Sequence, residues 1–359
     1  MQKIISFAPV EHTGIAPCTA LDFITVSTST SSAHAAERVG IVNISRANNI
    51  QSPPNKVGSF VAYLIYIVTS MKELRRVAIQ GVAGANHEIA AREFFDQYNV
   101  EVVPCMTFEE LFDRVRQDPS LFGIVAIENT LVGTLQANYT LLKDSGLAVI
   151  GEYKLRIKHN LMVMPGVRIG DLREVHSHPM ALAQCAAFFR NYPGIRLIEH
   201  ADTALAAKEV AEQQWTHVGA IAPAIAADLY GLRIINKGIE TNKKNFTRFL
   251  VVADRRRFAI DDLLRQNRIN RASIVFTLPQ AKEVGSLSKV LTVLAFYGVN
   301  LSKIQSNPVV GHEWEYIFYI DLSFSNYTRY LQSLDAVRPL CATLTVLGEY
   351  EAGRQSHES

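Results

Sequence analysis

Polar side chains follow a buried segment, Phe122–Ile127, whose apolar composition predicts a short strand. Glu128 and Asn129 come directly after this segment. Ligands of open α/β sheets bind outside the carboxyl ends of the strands. A carboxylate and an amide at such a place can exchange hydrogen bonds with a small polar ligand. We therefore interpret both residues as candidates for a binding or catalytic site.

A second polar motif, Asn245–Phe249, lies in an otherwise apolar strand. Side chains alternate along a strand, so Thr247 and Phe249 share one face and Arg248 points to the other. A hydroxyl beside an aromatic ring suits a hydroxylated carbocyclic substrate, although Thr247 by itself would be an ordinary strand residue. Arg248 either binds a carboxylate or forms a structural ion pair, and the sequence leaves both interpretations open.

Three loops lead from a predicted strand into the N-terminus of a helix: Gly81–His87, Ser177–Pro179 and Ala201–Thr203. Helix N-termini carry unpaired N–H groups and the positive end of the helix dipole, so they accept carboxylates. Pro179 suits the first helical position, and Asp202 or Thr203 suits the cap of its helix. Alternatively, each loop has no role other than to begin its helix.

Strands alternate with helices over residues 77–253, which predicts α/β layers with parallel strands. Ala148–Ile157 is one such strand, and we expect Leu161–Met164 to continue it. After a charged linker at residues 257–270, the segment Ala272–Glu349 has the order strand, helix, strand, strand, helix, strand. This βαββαβ order is the ferredoxin-like arrangement.

The composition limits the classes of function. The chain has 359 residues, 48% of them hydrophobic, which suits two globular domains with sizeable cores. The formal net charge is +2 and the Lys and Arg residues are scattered, which argues against a nucleic-acid partner. The longest apolar run, Val61–Val68, is far shorter than the roughly 20 residues of a membrane span. We expect no membrane partner and a cytoplasmic location.

Cysteine and histidine spacing offers no metal or disulfide motif. Cys18, Cys105, Cys185 and Cys341 form no CxxC pair, so we expect reduced thiols. His176 and His178 share a strand face but lack a nearby third ligand. The sequence therefore predicts no metal site.

Residues 1–72 differ from the rest of the chain, with the Ser/Thr tract Ser27–Ser32, a Ser-Pro-Pro at Ser52–Pro54 and no sustained period. We expect this part to be disordered or a mis-assigned extension, with Met71 as the biological start. A transit peptide is the alternative interpretation. The small number of acidic residues favours it, and the small number of arginines argues against it. Residues 352–359 are predicted to be a tail.

Taken in order, these motifs resemble those of the prephenate dehydratase family over about residues 76–253. Thr247–Phe249 resembles the family's Thr-Arg-Phe signature, in which the threonine is catalytic. Ile127–Thr130 is similar to its Ile-Glu-Asn-Ser element. Further matches are Ser177–Pro179 with Ala181–Cys185, Thr203–Ala207 and His159–Leu161.

The resemblance implies a catalytic domain at residues 73–256 with the two-lobed α/β fold of periplasmic binding proteins and a site in the cleft. One lobe would comprise residues 77–157 and 246–253, and the other residues 158–237. The turn Gly81–His87 departs from the family's Gly-Pro-x-Gly-(Thr/Ser)-(Phe/Tyr)-Ser, so that His87 or Asn86 would replace its hydroxyl donors.

Site roles follow from the same resemblance. The implied catalytic residues are Thr247, Arg248, Phe249, Glu128 and Asn129. The implied substrate-binding residues are Gly84, Ala85, His87, Thr130, Ser177, His178, Thr203 and Asn245. Neither a metal nor a cofactor is implied.

The second unit, residues 271–351, resembles an ACT domain. In related dehydratases this domain binds phenylalanine at a subunit interface, so the resemblance implies phenylalanine as effector and a homo-dimer or tetramer. The implied effector residues are Gly285, Ser286, Leu287, Asn300, Leu301, Gln305, Ser306 and Asn307. Gln305 and Asn307 stand where the family has Glu and Arg.

The implied function is the decarboxylating dehydration of prephenate to phenylpyruvate, in phenylalanine biosynthesis, by an enzyme without a chorismate-mutase domain. Thr247 would donate a hydrogen bond to the departing hydroxyl, acting by position in a dry cleft. Two alternatives stay open: a dehydratase that prefers arogenate, the amino analogue, and a non-enzymatic small-molecule sensor.

Overall fold

The computed structural model describes residues 74–96, 98–256, 268–279, 284–309, 311 and 315–356. The predicted extension at residues 1–72 and residues 257–267 of the predicted linker lie outside these ranges. Among the described residues, no helix is long and apolar enough to cross a membrane. Within the same ranges, no group of three His, Cys, Asp or Glu side chains is arranged to hold a metal ion.

Strands and helices alternate along the first part of the chain. In order they are β1 (Leu74–Gln80), α1 (Asn86–Phe94), β2 (Asn99–Cys105), α2 (Phe108–Gln117), β3 (Phe122–Asn129), β4 (Gly133–Thr134), α3 (Gln136–Ser145) and β5 (Ala148–Arg156). Next come β6 (Asn160–Val163), β7 (Glu174–Ser177), α4 (Pro179–Phe189), β8 (Arg196–Glu199), α5 (Thr203–Glu212), β9 (Val218–Ala222), α6 (Ala224–Tyr230), β10 (Arg233–Asn236) and β11 (Phe246–Ala253).

The rest of the chain has the predicted βαββαβ order. Its elements are β12 (Arg271–Thr277), α7 (Ser286–Phe296), β13 (Asn300–Pro308), β14 (Tyr316–Ser323), α8 (Tyr327–Val337), β15 (Thr343–Tyr350) and β16 (Arg354–Gln355). Strands β12 to β15 form an antiparallel sheet in the order β13-β14-β12-β15. We call β12 to β15 with α7 and α8 the C-terminal unit.

Two further sheets define two lobes. The first lobe has the order β16-β5-β11-β3-β1-β2, with β4 beside β3, and the second lobe has the order β10-β6-β9-β7-β8. The chain crosses between them after β5 and before β11, as the predicted division requires. The sequence led us to expect that Leu161–Met164 continues the preceding strand. This prediction was wrong, because β6 belongs to the second sheet. Strand β11 is antiparallel to both of its main neighbours, so the first sheet is mixed.

Local sequence explains the burial of β3 and the starts of the helices α4 and α5 near the lobe boundary. Residues 122–127 of β3 are buried because helices cover both faces of the first sheet. Pro179 opens α4, as predicted. Asp202 caps α5 by accepting hydrogen bonds from the N–H groups of Ala204 and Leu205, both at 2.9 Å.

The sheet of the C-terminal unit packs against the first lobe. Its helices α7 and α8 cover one face, and Tyr319 and Leu347 on the other face join the hydrophobic core around Tyr139 of α3. Gly348 allows the closest approach, because an added Cβ atom would lie 2.0 Å from the carbonyl oxygen of Val149. The C-terminal unit is thereby joined to the strands that end at the cleft.

Residues 352–356, predicted to be part of a tail, return to the first lobe. Strand β16 pairs in parallel with β5, and Arg354 forms an ion pair with Asp96 at 2.7 Å. Sequence patterns indicated neither β16 nor the short strands β4 and β10. Strands of two to four residues are too short to show a period.

Candidate active site

Five polar side chains form a connected hydrogen-bond network where β11 and β3 meet the second lobe. Asn129 Nδ2 donates to Thr247 Oγ1 at 2.9 Å and to Asn245 Oδ1 at 2.8 Å. Asn245 Nδ2 donates to Gln184 Oε1 at 2.8 Å, which lies 2.8 Å from His159 Nε2. We call these residues the amide–threonine cluster. It links the first lobe to α4 of the second.

The hydroxyl of Thr247 keeps its proton for donation. Thr247 is 8% exposed, and its oxygen accepts a hydrogen bond from Asn129. A hydroxyl has one proton and two lone pairs. Because the amide of Asn129 uses a lone pair and not the proton, Thr247 can donate to a further acceptor.

The amide of Asn129 is fixed from the other side. Its Oδ1 accepts from the N–H groups of Leu131 at 2.9 Å and Val132 at 3.1 Å, which directs Nδ2 toward Thr247. The hydroxyl of Thr130 donates to the carbonyl of Lys244 and accepts from the N–H of Phe246, each at 3.0 Å. Thr130, predicted to bind substrate, thus ties the end of β3 to the start of β11.

The histidine of the cluster is neutral. Burial lowers the pKa of His159, while the hydrogen bond to Gln184 and the charge of Glu240 oppose this effect. The hydrogen bond from Asn245 identifies Gln184 Oε1 as an acceptor. Since Oε1 cannot donate, its other partner, His159 Nε2, must be the donor, and the imidazole proton lies on Nε2. Glu240 accepts from the backbone N–H of His159 at 2.9 Å. These contacts fix the two crossings between the lobes.

His87 lies in an aromatic pocket beside Phe249, with the two ring centroids 5.0 Å apart and nearly perpendicular. Phe108 lies on its other side at 5.7 Å. The Nε2 atom is buried and has no hydrogen-bond partner within the described part of the chain. Burial lowers the pKa of His87 from 6.5 to about 4, so the ring is neutral at physiological pH.

We expect His87 to make the protein less stable below pH 6.5. The unfolded chain takes up a proton near pH 6.5, whereas the folded chain resists protonation until about pH 4, so stability is complete above pH 6.5 and falls between these values. The loss is at most about 1.4 kcal/mol per pH unit. Urea unfolding at pH 7.5, 5.5 and 4.5 should show a smaller decline for His87→Gln than for wild type. The exposed residue His217 is the control, since His217→Gln should leave the decline unchanged.

The turn at residues 81–87 contacts the second lobe. Gly84 has φ +93°, and a Cβ atom there would lie 3.2 Å from Cα of Ala226 in α6. The hydroxyl of Tyr230 donates to the carbonyl of Ala83 at 2.5 Å. The N–H of Gly84 donates to Glu88 at 2.7 Å, and that of Ala85 to the carbonyl of Val82 at 3.2 Å. Gly84 and Ala85 were predicted to bind substrate, and the N–H groups of both are engaged within the turn.

Two other loops predicted to bind substrate have structural roles. Ser177 is fully buried, and its hydroxyl donates to the carbonyl of Ile221 at 2.7 Å, which joins β7 to β9. Its proton is therefore not available to a ligand. At Thr203 the helix N-terminus is already occupied by the Asp202 carboxylate. Burial raises the pKa of Asp202 above its ordinary value, although the backbone hydrogen bonds that it accepts oppose this effect. His178 caps α4 by accepting from the N–H of Met180 at 3.2 Å.

Arg248 and Glu128 point away from Thr247, which corrects their predicted catalytic role. Arg248 Nε lies 2.6 Å from Oε2 of the buried Glu152, and its Nη1 pairs with Asp321 of β14. Glu128 pairs with Lys303 of β13 at 2.8 Å. Alternation along β11 and β3 places Thr247 and Asn129 on the cleft side and Arg248 and Glu128 toward the C-terminal unit. The ion-pair interpretation of Arg248 is therefore favoured.

The implied effector residues divide between two faces of the C-terminal sheet. Gln305 lies opposite Tyr319, and Lys303 lies opposite Asp321, on neighbouring strands. Because Tyr319 belongs to the core shared with the first lobe, Gln305 and Lys303 lie on the sheet face that contacts this lobe. Ser306 alternates to the face that carries α7, whose N-terminus follows Gly285. Asn307 returns to the lobe side and is buried. Asn300 donates to the hydroxyl of Ser323 at 3.3 Å.

Gln184 and His159 belong to the cluster although sequence reasoning gave them no site role. Both lie in segments that match the family's motifs, the run Ala181–Cys185 and the triplet His159–Leu161. Their positions in these motifs could have identified them. The contact of Gln184 with Asn245, 61 positions further along the chain, is decided by the fold.

Comparisons with known proteins agree with these motifs. The family model described as prephenate dehydratase matches residues 77–257. The chain is 38% identical over 287 residues to arogenate dehydratase/prephenate dehydratase 2, chloroplastic, of Arabidopsis thaliana, covering 77% of this chain and 72% of that protein.

Solved structures share the fold. A structure described as GqqA, a novel type of quorum quenching acylase, has a TM-score of 0.67 and 28% identity, covering 77% of this chain and 98% of that one. Prephenate dehydratase from Arthrobacter aurescens in complex with L-Phe has a TM-score of 0.65 and 24% identity, covering 77% and 90% of the chains. The ordered motifs, the two-lobed fold and the matching family model together show that this chain belongs to the prephenate dehydratase family.

Proposed function

We propose that this chain converts prephenate to phenylpyruvate, with loss of carbon dioxide and hydroxide. The observation that carries the proposal is the hydroxyl of Thr247, which is nearly buried and accepts from Asn129, so that its proton can be donated. In the reaction, the electrons of the broken C–carboxylate bond form the aromatic ring as the C–OH bond breaks. Thr247 donates a hydrogen bond to the departing oxygen, which leaves as hydroxide and takes its proton from solvent.

The charge of the surroundings favours prephenate over arogenate as substrate. Arogenate carries an ammonium group, which needs an acceptor, whereas prephenate carries a keto group, which needs a donor. Three nearby carboxylates are already engaged: Glu128 by Lys303, Glu240 by Lys243, and Asp202 by the N-terminus of α5. The cluster around Thr247 consists of the neutral amides of Asn129, Asn245 and Gln184, with the imidazole of His159 at its far end.

An acylase activity, which the name of one structural relative indicates for that protein, is less well supported for this chain. A hydroxyl nucleophile in an acylase needs an adjacent base that accepts its proton. The partner of Thr247 is the amide of Asn129, which donates to it. His159 is separated from Thr247 by Gln184 and Asn245 within the cluster.

One assay tests the proposed reaction against its alternatives. Purified protein is mixed with prephenate or with arogenate, and the formation of phenylpyruvate or phenylalanine is followed separately. We expect a higher kcat/KM with prephenate. A higher value with arogenate would reassign the substrate, and no product from either would favour a non-enzymatic sensor.

The proposal includes feedback by phenylalanine at the C-terminal unit of a homo-dimer or tetramer in the cytoplasm. Its support is the βαββαβ order and the contacts of that unit with the site strands through Arg248 and Glu128. The Arthrobacter aurescens relative was solved with L-Phe. Added phenylalanine should lower turnover of prephenate, and light scattering should report more than one subunit.

A further inference from the structure

A groove of about 1200 Å³ lies between the lobes, apart from the amide–threonine cluster. Ile89 of α1 with Leu155 and Arg156 of β5 line it on the first lobe, and Ile234 of β10 and Lys237 line it on the second. None of the five cluster residues is among the lining residues. Ligand pockets of about 300–1,000 Å³ hold molecules of drug size, so the groove has room for a small organic ligand.

The segment that follows the C-terminal unit forms a third wall. Strand β16 pairs with β5 beside the groove, and Ser356 Oγ accepts from the N–H of Arg156 at 2.8 Å. Arg354, Gln355 and Ser356 all line the groove. An occupant would therefore contact both lobes and the end of the chain at once.

Arg156, which lines this groove, has a side-chain nitrogen without a hydrogen-bond acceptor among the described residues. Its Nε atom is buried without a hydrogen-bond partner in the described part of the chain. Two neighbouring cations differ, since Lys243 pairs with Glu240 at 3.3 Å and Arg354 with Asp96 at 2.7 Å. Buried N–H groups nearly always have a hydrogen-bond acceptor. A buried N–H group without an acceptor beside a large groove therefore indicates that a ligand supplies the acceptor.

The other charged groups of the groove do not supply that partner. Glu93 lies 3.5 Å from the hydroxyl of Tyr153, and Asp228 is exposed at the groove. Lys237, also exposed, adds a positive charge on the wall formed by the second lobe. Ile89, Leu155 and Ile234 supply apolar surface in the groove.

We propose that this groove is a second ligand site, which binds a small organic carboxylate. Arg156 takes the carboxylate through the planar fork of its guanidinium, and the apolar body lies against Ile89, Leu155 and Ile234. Because the groove is built from both lobes, an occupant shifts the lobes toward the arrangement that binds it. The site goes beyond the proposed reaction and does not depend on it.

Calorimetry on the full chain tests the site with 3-phenylpropionate, a single carboxylate on an apolar ring. Loss of a charge-assisted hydrogen bond predicts that Arg156→Gln binds the probe at least about tenfold more weakly than wild type. Arg190→Gln, which removes an exposed arginine of the second lobe, is the matched control and should bind as wild type does. Equal binding by Arg156→Gln and wild type would overturn the proposal.

Three further measurements test where the probe binds and whether simple charge attraction explains its binding. The Thr247→Ala variant, whose turnover is expected to be strongly reduced, should still bind the probe when it is saturated with prephenate and L-phenylalanine. Loss of binding would place the probe elsewhere. Inorganic phosphate should bind at least about tenfold more weakly than the probe, since it lacks the apolar body. Probe binding should also slow amide exchange in residues 352–356, and unchanged exchange there would contradict the placement of the ligand.

Discussion

Replacing Thr247 by alanine is expected to lower kcat for prephenate by about a hundredfold to a thousandfold, the usual cost of removing one positioned donor. The alanine removes one of the two acceptors of Asn129, the one at 2.9 Å, but the strand pairings of β11 with β3 and β5 are unaffected. The KM should change little, because the donor acts on the departing hydroxyl. Steady-state kinetics at neutral pH measures both quantities.

Thr247→Ser is the matched variant, since it keeps a hydroxyl in the same place and should retain most of the turnover. Thr343→Ala is the distant control, because it removes an exposed hydroxyl that contacts Thr277 at 2.7 Å in the C-terminal unit. Circular dichroism should show an unchanged fold for all three. Near-normal turnover in Thr247→Ala would remove this residue from the mechanism.

Arg248→Met is expected to destabilise the protein by about 3–5 kcal/mol, because it leaves buried carboxylates without their cation. Glu152 and Asp321 are 1% and 3% exposed in their side chains. Burial opposes ionisation of Glu152, but the charge of Arg248 and the N–H of Gly353 hold its pKa below the ordinary value. Urea unfolding at neutral pH measures the loss.

The exposed pair of Arg76 and Asp118, at 2.8 Å, is the control, since Arg76→Met should cost less than about 1 kcal/mol. The two interpretations of Arg248 predict different results. A residue that binds a substrate carboxylate would raise KM on substitution and leave stability near that of wild type. That outcome would contradict the ion-pair assignment.

The βα alternation and the βαββαβ order were predicted from sequence because each depends on local periods and turn residues. The boundary between the lobes was implied by the resemblance to the family. The mixed direction of the first sheet was not predicted, since β11 enters it more than 100 residues after β3. The separate sheet of β6 was also missed, because an apolar run has the same pattern whichever sheet it joins. Sequence separation thus limited what could be predicted about the pairing of strands.

In the candidate site, too, some features were predicted from the sequence and others depended on the tertiary structure. The sequence by itself determined that Thr247 and Arg248 point to opposite faces of a strand, since alternation is a property of the backbone. It also supplied the ordered motifs of the family. Only the tertiary structure decided that the face of Thr247 meets the amides of Asn129 and Asn245 while the face of Arg248 meets the C-terminal unit. The physical reason is that a strand acquires a cleft side and a buried side only when other elements pack against it.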